Sequence, residues 1–282
     1  MLDMTRRDFV PTLAGIGAIS ASAPIQAAQL KGRIRQGVTR GCFGKGMSFE
    51  DMCKNAANLG LKGFDLVGPE TFPTLKKYGL VPSMVPGGMT LAGGCNRKED
   101  HAQLLPKTRE MIDAAAQAGA PNVIALSGNR RGMSDQEGMD NVVAYLNLVK
   151  KQAEDKGVTI CLELLNSKVN HPDYMCDRTS WGVEVCKRVG SPRVKLLYDI
   201  YHMQIMEGDI IRTIRASIPW IGHFHTAGNP GRHEPDETQE LSYRPIMQAI
   251  AELNYQGFVV HEYSPVKDAL KSLEETVRVC DV

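Results

Sequence analysis

The sequence has almost no net charge: 33 Lys and Arg stand against 32 Asp and Glu, a formal +1 over 282 residues. That balance removes the overall basic field on which nonspecific nucleic-acid binding depends. It also lacks any run of roughly 20 strongly apolar residues, so no segment reads as a bilayer span or stable membrane anchor. The seven cysteines (Cys42, Cys53, Cys95, Cys161, Cys176, Cys186 and Cys280) are odd in number and nowhere regularly spaced. Zinc-ribbon and disulfide-scaffold readings fail on that ground, and most of these thiols are expected to be buried as small apolar side chains. Phosphate-cradling loops are missing too, because Gly41-Cys42-Phe43-Gly44-Lys45-Gly46 has neither dinucleotide nor P-loop spacing. No linker, low-complexity segment or internal repeat divides the chain. What is present, 43% hydrophobic and 23% charged residues, is the composition of a folded globular protein.

The first residues stand apart. Arg6-Arg7 precedes a moderately apolar stretch, Phe9–Ile25, rich in Ala, Gly, Ser and Thr, and small residues follow around Gln26-Ala27-Ala28. The segment resembles a twin-arginine export signal, which implies a periplasmic or otherwise exported protein; a tail with two chance arginines on a cytoplasmic protein is the alternative. A leader over residues 1–28 would leave 29–282 as one domain, close to the roughly 250 residues of an α/β barrel.

Beyond the leader, short β-rich runs alternate with longer helical patterns. Strands are predicted at Ile34–Thr39, Gly63–Leu66, Leu80–Met84, Asn122–Leu126, Val158–Leu164, Val194–Asp199, Ile221–Thr226 and Gly257–Glu262. Helices are predicted at Ser48–Leu59, Leu104–Ala118, Ser134–Lys156, Trp181–Val189, Asp209–Ser217, Arg244–Leu253 and Val266–Val279, with Ser48 and Ser134 as N-caps and Gly60, Gly119 and Gly157 as stops. Eight strand–helix alternations in this length predict an α/β protein of the (β/α)₈ TIM-barrel type, with a doubly wound open sheet as runner-up.

In such a barrel, chemistry collects where the strands end. The last four predicted strands carry Glu163, Asp199, His225 and Glu262 at their last or next-to-last residue. Three carboxylates at corresponding positions repel one another, and a divalent cation is the natural compensation. An oxygen-rich set with one imidazole suits Mg²⁺ or Mn²⁺, with Co²⁺ and Zn²⁺ also open. His202, three residues after Asp199, is expected in the loop at the same rim, and Arg232 lies on a turn-rich loop after the seventh strand. An arginine fork there suits a substrate carboxylate or hydroxyl pair. His223 is expected on the face of His225, and His261 on the opposite face from Glu262. His223, His233 and His261 are candidates for structural roles or for supporting the ligands from behind.

The segments Leu66-Val-Gly-Pro-Glu, Leu162-Glu-Leu-Leu-Asn, Tyr198-Asp-Ile-Tyr-His-Met-Gln-Ile-Met-Glu-Gly-Asp, Gly222-His-Phe-His-Thr-Ala-Gly-Asn-Pro-Gly-Arg-His-Glu-Pro and His261-Glu-Tyr resemble the hydroxypyruvate isomerase family. That family belongs to the xylose isomerase-like superfamily of sugar isomerases and epimerases. The resemblance implies that Glu163 and Glu262 ligate the metal and exchange the proton, that Asp199 and His225 complete the ligand set, and that His202 and Arg232 contact substrate. It implies a metal-dependent isomerase interconverting hydroxypyruvate and tartronate semialdehyde through an enediolate. One position departs, since hydroxypyruvate isomerases place Gln where this chain has His225, as ketose 3-epimerases of the superfamily do. The leader is a second departure, because the familiar members are intracellular. An epimerase or related sugar isomerase is therefore the alternative. An endonuclease IV-like nuclease is poorly supplied, because none of the seven histidines falls on the first four strands. A non-catalytic periplasmic sugar-binding protein would have little use for a metal between two glutamates. The expected partner is a small hydroxy-oxo acid or sugar, with a homo-oligomer left open.

Overall fold

A computed structural model describes residues 30–282; the predicted leader over residues 1–28 lies outside them. The eight predicted strands all form: β1 (Arg35–Val38), β2 (Gly63–Asp65), β3 (Val81–Met84), β4 (Asn122–Ala125), β5 (Thr159–Leu164), β6 (Val194–Asp199), β7 (Ile221–Thr226) and β8 (Phe258–His261). All pair in parallel, in the order β3-β2-β1-β8-β7-β6-β5-β4. A parallel bridge between Val85 and Val123 joins the two ends of that order, closing the barrel and setting aside the open sheet.

The two-residue period of each strand divides its side chains between helices and barrel interior. On β5, Ile160, Leu162 and Leu164 join the large outer core with Tyr145, Val185 and Leu196, while Cys161 packs inside against Met84, Ile124 and Leu197. Burying each such aliphatic side chain contributes about 1.5–3 kcal/mol. A polar side chain on the interior face of a strand's last residues therefore points to the C-terminal mouth.

The helices are α1 (Phe49–Asn58), α2 (Phe72–Lys77), α3 (Lys98–Ala118), α4 (Asp135–Lys156), α5 (Thr179–Val189), α6 (Ile200–Met206), α7 (Ile210–Ser217), α8 (Tyr243–Glu252) and α9 (Ala269–Cys280). The predicted caps act as such: Ser48 Oγ accepts from Asp51 N at 3.1 Å and Ser134 Oγ from Glu137 N at 3.2 Å. Gly119 and Gly157 adopt the left-handed conformation that ends α3 and α4.

Two helix starts differ from expectation, and two short helices were not expected. α3 begins at Lys98, not Leu104; Glu99 and Asp100 in its first turn favour the helix N-terminus, and Pro106 is accommodated inside. α9 begins at Ala269, not Val266, because Asp268 caps it while the Glu234 carboxylate accepts from the backbone N–H of Val266 and Lys267. α2 and α6 are short helices absent from the prediction, and α6 bears on the site. No helix among the described residues is long and apolar enough to cross a membrane, and all seven cysteines are free and buried.

Candidate active site

Four strands deliver four inward side chains to one point. Glu163, Asp199, His225 and Glu262 each offer one ligand atom, and these atoms all lie within 4.8 Å of one another. Register explains the convergence: Asp199 pairs with His225 across β6 and β7, and the Glu262 backbone N–H, just past β8, donates to Thr226 O at 2.9 Å. Inward positions at the ends of adjacent strands thus fall at one height.

His225 Nδ1 stands 2.8 Å from Glu262 Oε2 and 3.8 Å from Glu163 Oε1, and its direction makes no hydrogen bond with any described residue. A buried imidazole nitrogen without a partner is costly, and three carboxylates facing it add repulsion. Both defects are relieved by one divalent cation, so this donor set fits a metal ion. The carboxyls are not equivalent. Burial and the charge of Glu262 hold Glu163 above the usual carboxylate range, and burial does the same to Asp199. Burial pulls Glu262 upward as well, but the positive charges of a doubly protonated His225 and of Arg232 outweigh it and hold it down. Burial disfavours that second proton on His225, and the charges of Glu262 and Asp65 outweigh the burial, so the Nδ1 position takes either a proton or a cation that would displace it.

Asp199 does two things. Its Oδ1 accepts from the His202 backbone N–H at 3.2 Å, capping α6. That cap corrects the predicted placement of His202, which is fully buried on the first turn of a helix and not in a loop. His202 Nδ1 accepts from Asn166 N at 3.2 Å. Its Nε2 therefore carries the hydrogen, lies 3.6 Å from Asp199 Oδ2 and has no hydrogen-bond partner among the described residues. Burial and the nearby Arg232 charge keep this ring neutral, which leaves an uncommitted donor at the rim.

Arg232 is held in place by backbone on both sides. Its N–H donates to Gly228 O at 2.9 Å, and its carbonyl accepts from Ser264 N at 3.0 Å, tying the loop after β7 to the segment after β8. Its backbone is left-handed, at φ +57°, and its Nη2 reaches Glu262 Oε2 at 2.7 Å and Asp199 Oδ2 at 3.3 Å. A cavity of about 310 Å³, lined by Arg40, Asp65, Leu66, Arg232, Glu262 and Tyr263 among others, opens beside it.

A second polar cluster, of which only His223 was expected on this face, lies within the same barrel. Asp65 at the end of β2 reaches His223 Nε2 at 2.6 Å and His225 Nε2 at 3.0 Å, and it accepts a short hydrogen bond from Ser83 Oγ. Asn122 Nδ2 lies 3.2 Å from His223 Nδ1. As expected, His223 shares the face of His225, while His261 points outward to Thr226 Oγ1 and Gln36 Oε1, at 2.8 and 2.9 Å. His233 contacts the Ser264 carbonyl away from the cluster.

Fold and site together define a (β/α)₈-barrel protein with a carboxylate–imidazole ligand set at the C-terminal mouth of its last four strands. A sequence profile agrees over residues 53–280, and the chain belongs to the xylose isomerase-like TIM barrel family. It is 36% identical over 135 residues to a putative hydroxypyruvate isomerase of Danio rerio, covering 48% of this chain and 49% of that protein. It is 39% identical over 113 residues to a 2-oxo-tetronate isomerase of Cupriavidus necator, covering 40% and 43%. The chain thus spans about half the length of these curated relatives. A crystal structure of an AP endonuclease, family 2, from Brucella melitensis superposes with a TM-score of 0.78 at 23% identity, over 85% of this chain and 96% of that one, which shows a shared fold.

Proposed function

We propose that this protein is a metal-dependent isomerase of small hydroxy-oxo acids, interconverting hydroxypyruvate and tartronate semialdehyde. The observation that carries this reading is the unpartnered His225 Nδ1 facing Glu163, Asp199 and Glu262. These four residues would hold Mg²⁺ or Mn²⁺, and a bound divalent ion supplies Lewis-acid stabilisation of negative charge developing on substrate oxygens. Glu163 and Glu262 share the proton transfer: one, ionised, removes a proton from C3 and the other, protonated, delivers one to C2, while the hydroxyl proton passes from the C3 oxygen to the C2 oxygen. Their differently perturbed carboxyls suit such a division of labour. Arg232 and the donating Nε2–H of His202 bind the substrate carboxylate and hydroxyl groups. The cavity lies at the small end of ligand-binding volumes, in keeping with a substrate of three or four carbons. The names of the two relatives, both isomerases of small oxygenated acids, support the same substrate class.

A second reading, ketose 3-epimerisation, is favoured by one residue, His225, where the hydroxypyruvate isomerase pattern has Gln. Both reactions use the same ligands and differ in where the proton returns. The test is metal-reconstituted protein given hydroxypyruvate, fructose or tagatose in D₂O and followed by NMR. Conversion of hydroxypyruvate is the expected result, and inversion at C3 of a ketose without it would replace isomerase by epimerase. Failure of the purified protein to bind any divalent metal would sink both.

The motif Arg6-Arg7 and the small-residue stretch after it also support a proposal of export by the twin-arginine route. Replacing both arginines by lysine is expected to leave the protein in the cytoplasmic fraction, and unchanged export would refute it.

A further inference from the structure

The proposed chemistry makes no use of Asp65, yet its surroundings are specific. Asp65, Ser83, His223 and His225 are all buried, none more than 1% exposed. From β2 the Asp65 side chain passes β1 and β8 inside the barrel to reach β7. The wall it passes carries glycine at Gly37, where an added Cβ would meet Val260 Cγ2 at 2.8 Å and Gly63 O at 2.9 Å. An ionised carboxylate only accepts hydrogen bonds, so each imidazole nitrogen facing it carries a hydrogen. On His223 this leaves Nδ1 as an acceptor, and Asn122 Nδ2 meets it. On His225 it leaves Nδ1 as the nitrogen turned toward Glu163 and Glu262, with no hydrogen bond from any described residue.

We infer that Asp65 is the positioning residue that makes His225 a metal ligand: by accepting the Nε2–H hydrogen bond, it selects the tautomer whose Nδ1 lone pair faces the three carboxylates and fixes the ring plane. A neutral imidazole released from this contact can place its hydrogen on either nitrogen and rotate about Cβ–Cγ. Either change removes the lone pair from the site. His223 has a different part. It shares the same carboxylate oxygen and, with Ser83 on the other oxygen, keeps Asp65 from turning away. The inference rests on the metal-site reading given under Proposed function.

Its test uses the full chain, ¹⁵N-labelled at histidine and loaded with ¹¹³Cd²⁺, together with Mn²⁺ affinity measured by chelator competition. In the unaltered protein, cadmium coupling is expected at His225 Nδ1 with a hydrogen retained on Nε2. Asp65→Leu is expected to weaken Mn²⁺ binding by about 10- to 100-fold, the usual loss when a ligand histidine is deprived of its partner. Asp65→Asn is expected to stay within about tenfold of the original, because its amide oxygen can accept from both imidazoles while its NH₂ faces Ser83 Oγ. Thermal unfolding of each variant shows that it is folded. Should Asp65→Leu fail to fold, the cadmium coupling and the asparagine variant still decide. Coupling at Nε2, or undiminished Mn²⁺ binding by a folded Asp65→Leu protein, overturns the inference alone. Absence of metal binding by the unaltered protein overturns it together with the reading on which it rests.

Discussion

Two clusters of buried polar side chains occupy the barrel, and they share His225. The inner one, Asp65 with His223, Ser83 and Asn122, closes on itself: donors meet acceptors at hydrogen-bonding distance. The outer one, Glu163, Asp199, His225 and Glu262, brings three acceptors to an imidazole nitrogen that no described residue satisfies, beside an open cavity. Both are costly to bury, the outer one more so because it gathers three carboxyls to the inner one's one. The inner cluster recovers that cost internally, whereas the outer one, even with Arg232 against Glu262 and Asp199, leaves the His225 nitrogen for something supplied from outside. Satisfied polar groups in a core are architecture, whereas unsatisfied ones aimed at a cavity are a binding site.

The largest expected break in this contrast is Glu262→Gln. It should lower kcat about 10³-fold, the scale of a lost general acid or base, while the melting temperature holds. A kcat within tenfold of the original would remove Glu262 from the proton transfer. His223→Leu attacks the other cluster and should act first on stability, costing about 3 kcal/mol in denaturant unfolding because a partner of the buried Asp65 carboxylate is lost. Unchanged stability would show that the inner cluster is not structural. Arg232→Ala sharpens the boundary between them: loss of a charged hydrogen bond of about 2 kcal/mol predicts a KM for hydroxypyruvate raised roughly 30-fold, with kcat less affected. An unaltered KM would confine Arg232 to neutralising its neighbours.

At neutral pH, where activity is measured, the smallest change concerns a histidine belonging to neither cluster. Burial holds His261 down to about 3, so it stays neutral in the folded protein through mild acid. The unfolded chain takes up that proton near pH 6.5 and the folded one does not. His261 therefore contributes stability that is complete above about pH 6.5 and is lost on acidification toward pH 3, by about 1.4 kcal/mol per pH unit. Stability curves at pH 7, 6 and 5 for His261→Gln should be flatter than for the unaltered protein, and parallel curves would refute the assignment.

The outer cluster was legible in sequence because it follows two simple regularities: strand ends carry the chemistry, and alternate residues share a face. Glu163, Asp199, His225 and Glu262 needed nothing more. Asp65 obeys the same rule but was hidden by one residue of boundary. The predicted second strand ran to Leu66, whose backbone turns left-handed at φ +58°, so β2 in fact ends at Asp65. His202 was hidden differently. Ile200–Met206 is too short for helical periodicity to declare itself, and what starts that helix is the side chain of Asp199, a residue already assigned another task. Contacts such as Asp65 to His225, across 160 positions of sequence, come only from closing the barrel.

The seat at position 225 works as a two-ended socket. One end, Asp65, asks for a hydrogen, and the other, the three carboxylates with the cation they would hold, asks for a lone pair. Imidazole meets both demands, and so does a primary amide, with its NH₂ at one end and its carbonyl at the other. His225→Gln should therefore seat itself and keep divalent binding, whereas His225→Leu should not. The barrel thus offers one position where the character of the ligand can be exchanged, nitrogen for oxygen, while its neighbours stay as they are.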